Sequence, residues 1–530
     1  MFARRRLQQV LRLSSHFELP SQALPYYNSS SRIAGHCGVL LSAIARELFI
    51  LSTAGLDVPA AGKPAPAASP ELRKHLGFVD LIFACVLMVV IPDFFGTAVK
   101  AGSASVCLWL LALTFFFLPQ ALLVSHLNKR LPLEGGLYEW ARVAFGDFVG
   151  FVVAWNLWLY VVVYTASIGL VTTNYLVYVL GSEYAWIATN RPALIAATVA
   201  IIAGLMLVAH VGLRIGKWVT NAGSALTVLT IAVLIVLPFV RHAQGTLAEY
   251  HPLKLALPTL SLFSFSVFSK MTFGALCGLE FTAIFAGESR NPVRHFPRAI
   301  LLSVPLVAFL YIFGTSAILA FVSPDSVDLI GPIPQALQAG FAGMSAARIM
   351  VPAAILLLLT NYLASFSFNF AANTRLPMVA GWDHLLPAWF TRLHPKYRTP
   401  VNSILFLGII TLVASLAVLI GVRELEAFEM LQIWGFTFYG IAYLAMFAIP
   451  LFAKRESKLR SGILLRVAAT CGFALTLLFV VLSIFPIVDV ANPVRYVVKT
   501  IAVLLGANCV ALALFIQQRR HNVRNSFPRS

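Results

Sequence analysis

Two carboxylates stand beside breaks in long apolar runs. Asp93 follows Pro92 and precedes Gly96 in the run 85–96, and Glu280 follows Gly274 and Gly278 in the run 271–280. A carboxylate in apolar surroundings has two chemical uses: it meets a cation such as an ammonium group, or it takes up and releases a proton. Proline and glycine interrupt a helix, and the N–H and C=O groups they free need partners. Freed carbonyls suit a cation, whereas N–H groups at a helix start suit a carboxylate. The candidate binding site is therefore Ile91, Pro92, Asp93 and Gly96 from the first run, with Phe273, Gly274, Gly278 and Glu280 from the second. Asp93 and Glu280 are the candidates for carrying a coupling proton.

Blander readings stand beside these. Asp93 could cap a helical segment at the membrane interface, since Lys100 is only seven residues on. Glu280 could make a structural hydrogen bond into a neighbouring helix, and Gly274–Gly278 has the GxxxG spacing of close helix packing. Phe273 and Phe281 could gate a site, but in a chain with 40 Phe a core role is the better expectation.

The elements that must position these residues are membrane helices. The chain has 530 residues, 59% hydrophobic and 11% charged, a composition foreign to soluble globules. Its apolar runs are each long enough to cross a ~30 Å hydrocarbon core as helix, and none alternates as a barrel strand would. Twelve spans are expected, at 78–99, 103–127, 148–180, 192–213, 218–240, 262–286, 299–322, 348–374, 401–421, 427–453, 466–487 and 496–517. The broken runs are spans 1 and 6, and span 3 is long enough to need tilt. Lys and Arg concentrate in both tails and in the loops after spans 2, 4, 6, 8 and 10, which places both termini in the cytoplasm of a plasma or inner membrane. That topology accounts for the net charge of +18, so no nucleic-acid partner is implied. Residues 1–75 read as a poorly ordered cytoplasmic extension with no transport role, 76–517 as the membrane domain and 518–530 as a basic tail.

Other polar residues within the spans have modest readings. Trp155, Asn156, Trp158 and Tyr164 of span 3 are expected to pack. Asn361, Ser365, Ser367, Asn369 and Asn373 of span 8 are expected to face the bundle interior. Glu426 and Glu429 read as a solvated start of span 10. Arg290, Arg294 and Arg298 read as topology residues, with a latch to Glu288 as the alternative. The six cysteines are scattered, so neither disulfides nor a metal site is expected. The spans hold no cluster of His or Ser/His pair suited to catalysis, and the chain has no GxxxxGK[ST] phosphate loop. Neither an enzyme nor a cofactor is expected.

Several loops resemble those of the amino acid–polyamine–organocation permease superfamily. Leu133-Glu-Gly-Gly-Leu-Tyr-Glu-Trp140 with 144–150 is similar to its loop after span 2. Gly278-Leu-Glu280, then 286–292 and 297–300, resembles its sixth-span signature, and 375–387 with Thr399-Pro400 resembles the run after span 8. The resemblance implies an all-α LeuT-type fold, two inverted five-helix repeats plus two helices, with substrate between spans 1 and 6. It implies secondary active transport of amino acids, proton-driven, by alternating access; polyamine carriage and amino acid exchange are the alternatives within the same fold. The family's glycine-rich first-span motif is replaced here by 89–96, and span 5 from Trp218 to Val240 lacks the lysine that replaces a sodium ion in some relatives.

Overall fold

The computed structural model describes residues 76–526, apart from 133–134, 248–249, 286–288, 346, 383–385, 419–423, 454–461 and 486–492. The expectations for residues 1–75, for the Glu288 latch and for Glu134 lie outside the described residues. Among those described, ten helices are long and apolar enough to cross a membrane, and a bent pair makes an eleventh span. The ninth expected span is the shorter apolar helix Val401–Ala417, so the count of twelve rests on that segment.

Span 1 is the bent pair, Phe78–Val89 and Asp93–Val99, meeting at 49°. Its start is fixed by Asp80, which accepts the Gly77 N–H at 2.8 Å and the Asn221 side-chain amide of span 5 at 2.7 Å; an acid in the first turn also complements the helix dipole. It stops because proline has no N–H and disfavours helix in the residue before it. Span 6 begins at Ser261, whose hydroxyl accepts the Ser264 N–H, runs over Leu262–Leu276 and resumes at Leu279–Ala283. Between these pieces Gly278 has φ +118°, a conformation that glycine alone adopts without strain.

The two broken spans run in opposite directions. Leu76, before span 1, bridges to Ser289, after span 6, and the Arg290 N–H donates to the Leu76 carbonyl at 3.1 Å. Accordingly Leu279–Ala283 packs on Phe78–Val89 at that face, while Leu262–Leu276 packs on Asp93–Val99 towards the other. Spans 7 and 5 pack on span 1, span 8 on span 5, and span 10 on span 3. The long span 3 covers Asp147–Leu180 with an irregular residue at Ser167, whose hydroxyl turns back to the Tyr164 carbonyl at 2.7 Å. Asn156 and Trp155 of span 3 bond to Asn508 and the Ala507 carbonyl of span 12, so they pack as expected.

Candidate functional site

The two breaks touch. A Cβ on Gly278 would lie 2.8 Å from the Met88 carbonyl, so the chain crosses there with no room for a side chain. Tyr311 of span 7 serves both breaks: its hydroxyl accepts the Ile91 N–H at 3.0 Å and faces the Val89 and Ala275 carbonyls at 2.7 and 3.1 Å. These contacts supply the partners that an interrupted membrane helix requires. Gly274, by contrast, lies inside a regular helix. Its Cβ would fall 2.0 Å from the Phe94 ring, so its role is to admit that ring; of the two glycines, only Gly278 sits where the helix unwinds. Gly96 is likewise helical and packs against the Asp328 carbonyl, Leu329 and Pro332.

Asp93 opens the second half of span 1 and is buried. Tyr362 of span 8 donates to its Oδ1, and the Gln432 amide of span 10 donates to Oδ2 at 3.1 Å. It lines a cavity together with Phe94, Thr97, Lys270, Leu329, Phe428, Glu429, Gln432, Ile433, Phe436 and Phe479. Phe94 meets Phe436 edge-on across it at 5.1 Å.

Glu280 occupies a second polar layer, nearer the face where span 1 begins, and does not figure among the residues lining that cavity. Tyr439 donates to its Oε1 and Tyr443 to Oε2. The Tyr443 oxygen also accepts the Gln120 amide at 2.6 Å and the Gly278 N–H at 2.8 Å. A phenol has one proton to give and two lone pairs, so Tyr443 is fully used and its proton is committed to Glu280. Phe273 lies beside this layer, fully buried, stacked on Phe479 at 4.5 Å and edge-on to Tyr443 at 5.1 Å.

Two charged residues escape a reading by motif. Lys270 is 5% exposed and Glu429 7% exposed, and both line the cavity with Asp93. Glu429 is therefore not part of a solvated helix start: span 10 begins earlier, at Glu424, and position 429 already faces inward. Lys270 had a visible signal, an ammonium two turns inside an apolar span, where a charge costs about 2.5–3.5 kcal/mol and so needs a use. The span 8 residues Asn361, Ser365, Ser367, Asn369 and Asn373 are all buried. Among the described residues no His, Cys, Asp or Glu group could hold a metal ion.

A family profile described as amino acid permease matches residues 76–507. The chain belongs to the amino acid permease family. This permease is thus an integral membrane transporter of amino acids and not an enzyme. It is similar to an uncharacterised transporter of Legionella pneumophila (28% identical, covering 65% of this chain and 73% of the relative) and to cationic amino acid transporter 4 of Mus musculus (26%, covering 69% and 59%). The crystal structure of MhsT in complex with L-phenylalanine superimposes with a TM-score of 0.58 at 14% identity, covering 78% of this chain and 99% of that one. That likeness gives the fold, the LeuT type implied by the family resemblance.

Proposed function

We propose that this permease carries a cationic amino acid by proton-coupled secondary transport, alternating access around the breaks in spans 1 and 6. The observation that carries this reading is the cavity at the first break, in which Asp93 keeps an unused lone pair on each oxygen. The substrate ammonium binds there, between Asp93 and the aromatic pair Phe94 and Phe436. The cavity holds two acids, Asp93 and Glu429, and one base, Lys270. That balance complements a molecule with two cationic groups and one anionic group, and mammalian and plant relatives bear the name cationic amino acid transporter.

In this reading Glu280 is the proton site. Because Tyr443 must donate to Oε2, an incoming proton lands on Oε1, and the Tyr439 hydroxyl turns from donor to acceptor. Phe94 over Gly274 closes the cavity on one side of the substrate, and the Tyr443–Glu280–Gly278 layer closes the other. Ile91, Pro92, Gly96, Phe273 and Gly278 shape the breaks. The termini face the cytoplasm of a plasma or inner membrane, and removal of residues 1–75 leaves uptake unchanged.

The test is uptake of labelled arginine, leucine and a polyamine into proteoliposomes, with and without an inward proton gradient. Arginine accumulation only under the gradient supports the proposal. Accumulation of the polyamine alone would replace it with an organic-cation carrier, a reading favoured by the two cavity acids and opposed by Lys270. Arginine uptake that is indifferent to the gradient but needs internal amino acid would mean an exchanger.

A further inference from the structure

Lys270 stands in the cavity with most of its hydrogen-bonding capacity unspent. Its ammonium group has three protons to donate, and among the described residues its one hydrogen bond is to the Phe485 carbonyl at 3.1 Å. Glu429 lines the same cavity but lies beyond ion-pair distance, since the short ion pairs among the described residues do not include these two. A third group nearby is also incomplete. Gln432 gives its amide N–H to Asp93 while its Oε1, fully buried, has no partner among the described residues. Among the described residues the cavity therefore presents unspent donors on Lys270 and unspent acceptors on Gln432 and Asp93. A buried polar atom left unpaired is costly, and three such groups converging on one cavity describe a ligand with an anionic end and a cationic end.

From this arrangement we infer that Lys270 receives the substrate's carboxylate, with Gln432 Oε1 and Asp93 taking the ammonium group. The inference rests on the amino acid reading above and adds the residue that tells an amino acid from the amine formed by its decarboxylation. The chemistry follows from position. In this chain Asp93 itself places a negative charge at the first break, where N–H groups would otherwise favour a substrate carboxylate, so the carboxylate is turned away from span 1. Lys270, on the facing half of span 6 that packs against Asp93–Val99, is the cation that can take it. A polyamine brings no anion and meets Lys270 as a like charge. Lys270 is thus a specificity residue for the α-carboxylate, and Glu429 sets the field around it.

The experiment is competition against labelled arginine in proteoliposomes holding the full chain, with unlabelled arginine and its decarboxylated amine as competitors. Wild-type protein is expected to prefer arginine by about 100-fold, the scale of a buried charge-assisted contact. Lys270→Met should bring that preference below about fivefold, chiefly by weakening arginine, and Lys270→Arg should keep it. If Lys270→Met does not fold, Lys270→Met with Glu429→Gln removes both charges together and should show the same lost preference. A single or double variant that still prefers arginine about 100-fold overturns the inference, and so does a wild-type protein that takes the amine equally well. Should Lys270 merely neutralise Glu429, adding Glu429→Gln would restore the preference that Lys270→Met removed. Failure of wild-type protein to bind any amino acid would instead defeat the amino acid reading itself.

Discussion

Asp93 faces a cavity and shares its walls with Lys270 and Glu429, whereas Glu280 is enclosed by two tyrosines of span 10 and a glutamine of span 2. Both acids flank a helix break, and both accept tyrosine hydroxyls. They differ in what completes them. Asp93 is held in place by Tyr362 and Gln432 with space in front of it, a geometry that leaves work for a ligand. Glu280 belongs to a network whose central oxygen, that of Tyr443, is saturated and ties Oε2 to the backbone at Gly278, which leaves Oε1 and Tyr439 as the side that can change. The contrast teaches that a carboxylate beside a break does not define a binding site; the space beside the carboxylate does.

The sharpest way to break this comparison is to neutralise each acid in turn. Asp93→Asn is expected to lower initial uptake at least about 100-fold, because a buried charged contact to substrate is lost; an uptake rate near wild type would reduce Asp93 to a structural partner of Tyr362. For Glu280→Gln the expectation separates two assays: accumulation driven by a proton gradient disappears while exchange of labelled for unlabelled substrate persists. Loss of both would place Glu280 with Asp93 as a substrate group and dissolve the distinction.

Smaller effects sharpen it. Gly274→Ala drives a methyl group into Phe94 and should cost about 1–3 kcal/mol of stability, as overpacking does, with uptake falling about tenfold; a neutral outcome in thermal unfolding would show that Phe94 has another place to go. Least of all, Tyr443→Phe and Tyr439→Phe should differ. The first orphans Gly278 N–H and Gln120 and should cost about 2 kcal/mol, whereas the second removes a single hydrogen bond at about 1 kcal/mol. Equal losses on thermal unfolding would contradict the saturated role given to Tyr443.

Much of this site was legible in the residues. Pro92 and Gly278 mark the breaks because their backbone chemistry is local, and the acids beside them stand out against apolar neighbours. Gly274 was less so: a glycine that unwinds a helix and one that admits a ring from another span are identical in sequence, and only the position of Phe94 separates them. Glu429 looked like a solvated helix start because depth in the bundle depends on where span 10 begins, a tertiary matter. The tyrosines at 311, 362, 439 and 443 carried no signal at all. Each is an ordinary aromatic in an apolar run, and its hydroxyl acquires meaning only from a partner 36 to 323 residues away.

Tyr311 brings one proton to two carbonyls, those of Val89 and Ala275, one from each broken span. A single phenolic proton satisfies one of them fully at any instant, so the other is always the poorer partner. The pair is a built-in either/or: strengthening the bond to span 1 weakens the bond to span 6 by the same act. Competition of this kind gives one hydroxyl two alternative partners, and it links the backbones of the two breaks through a single side chain.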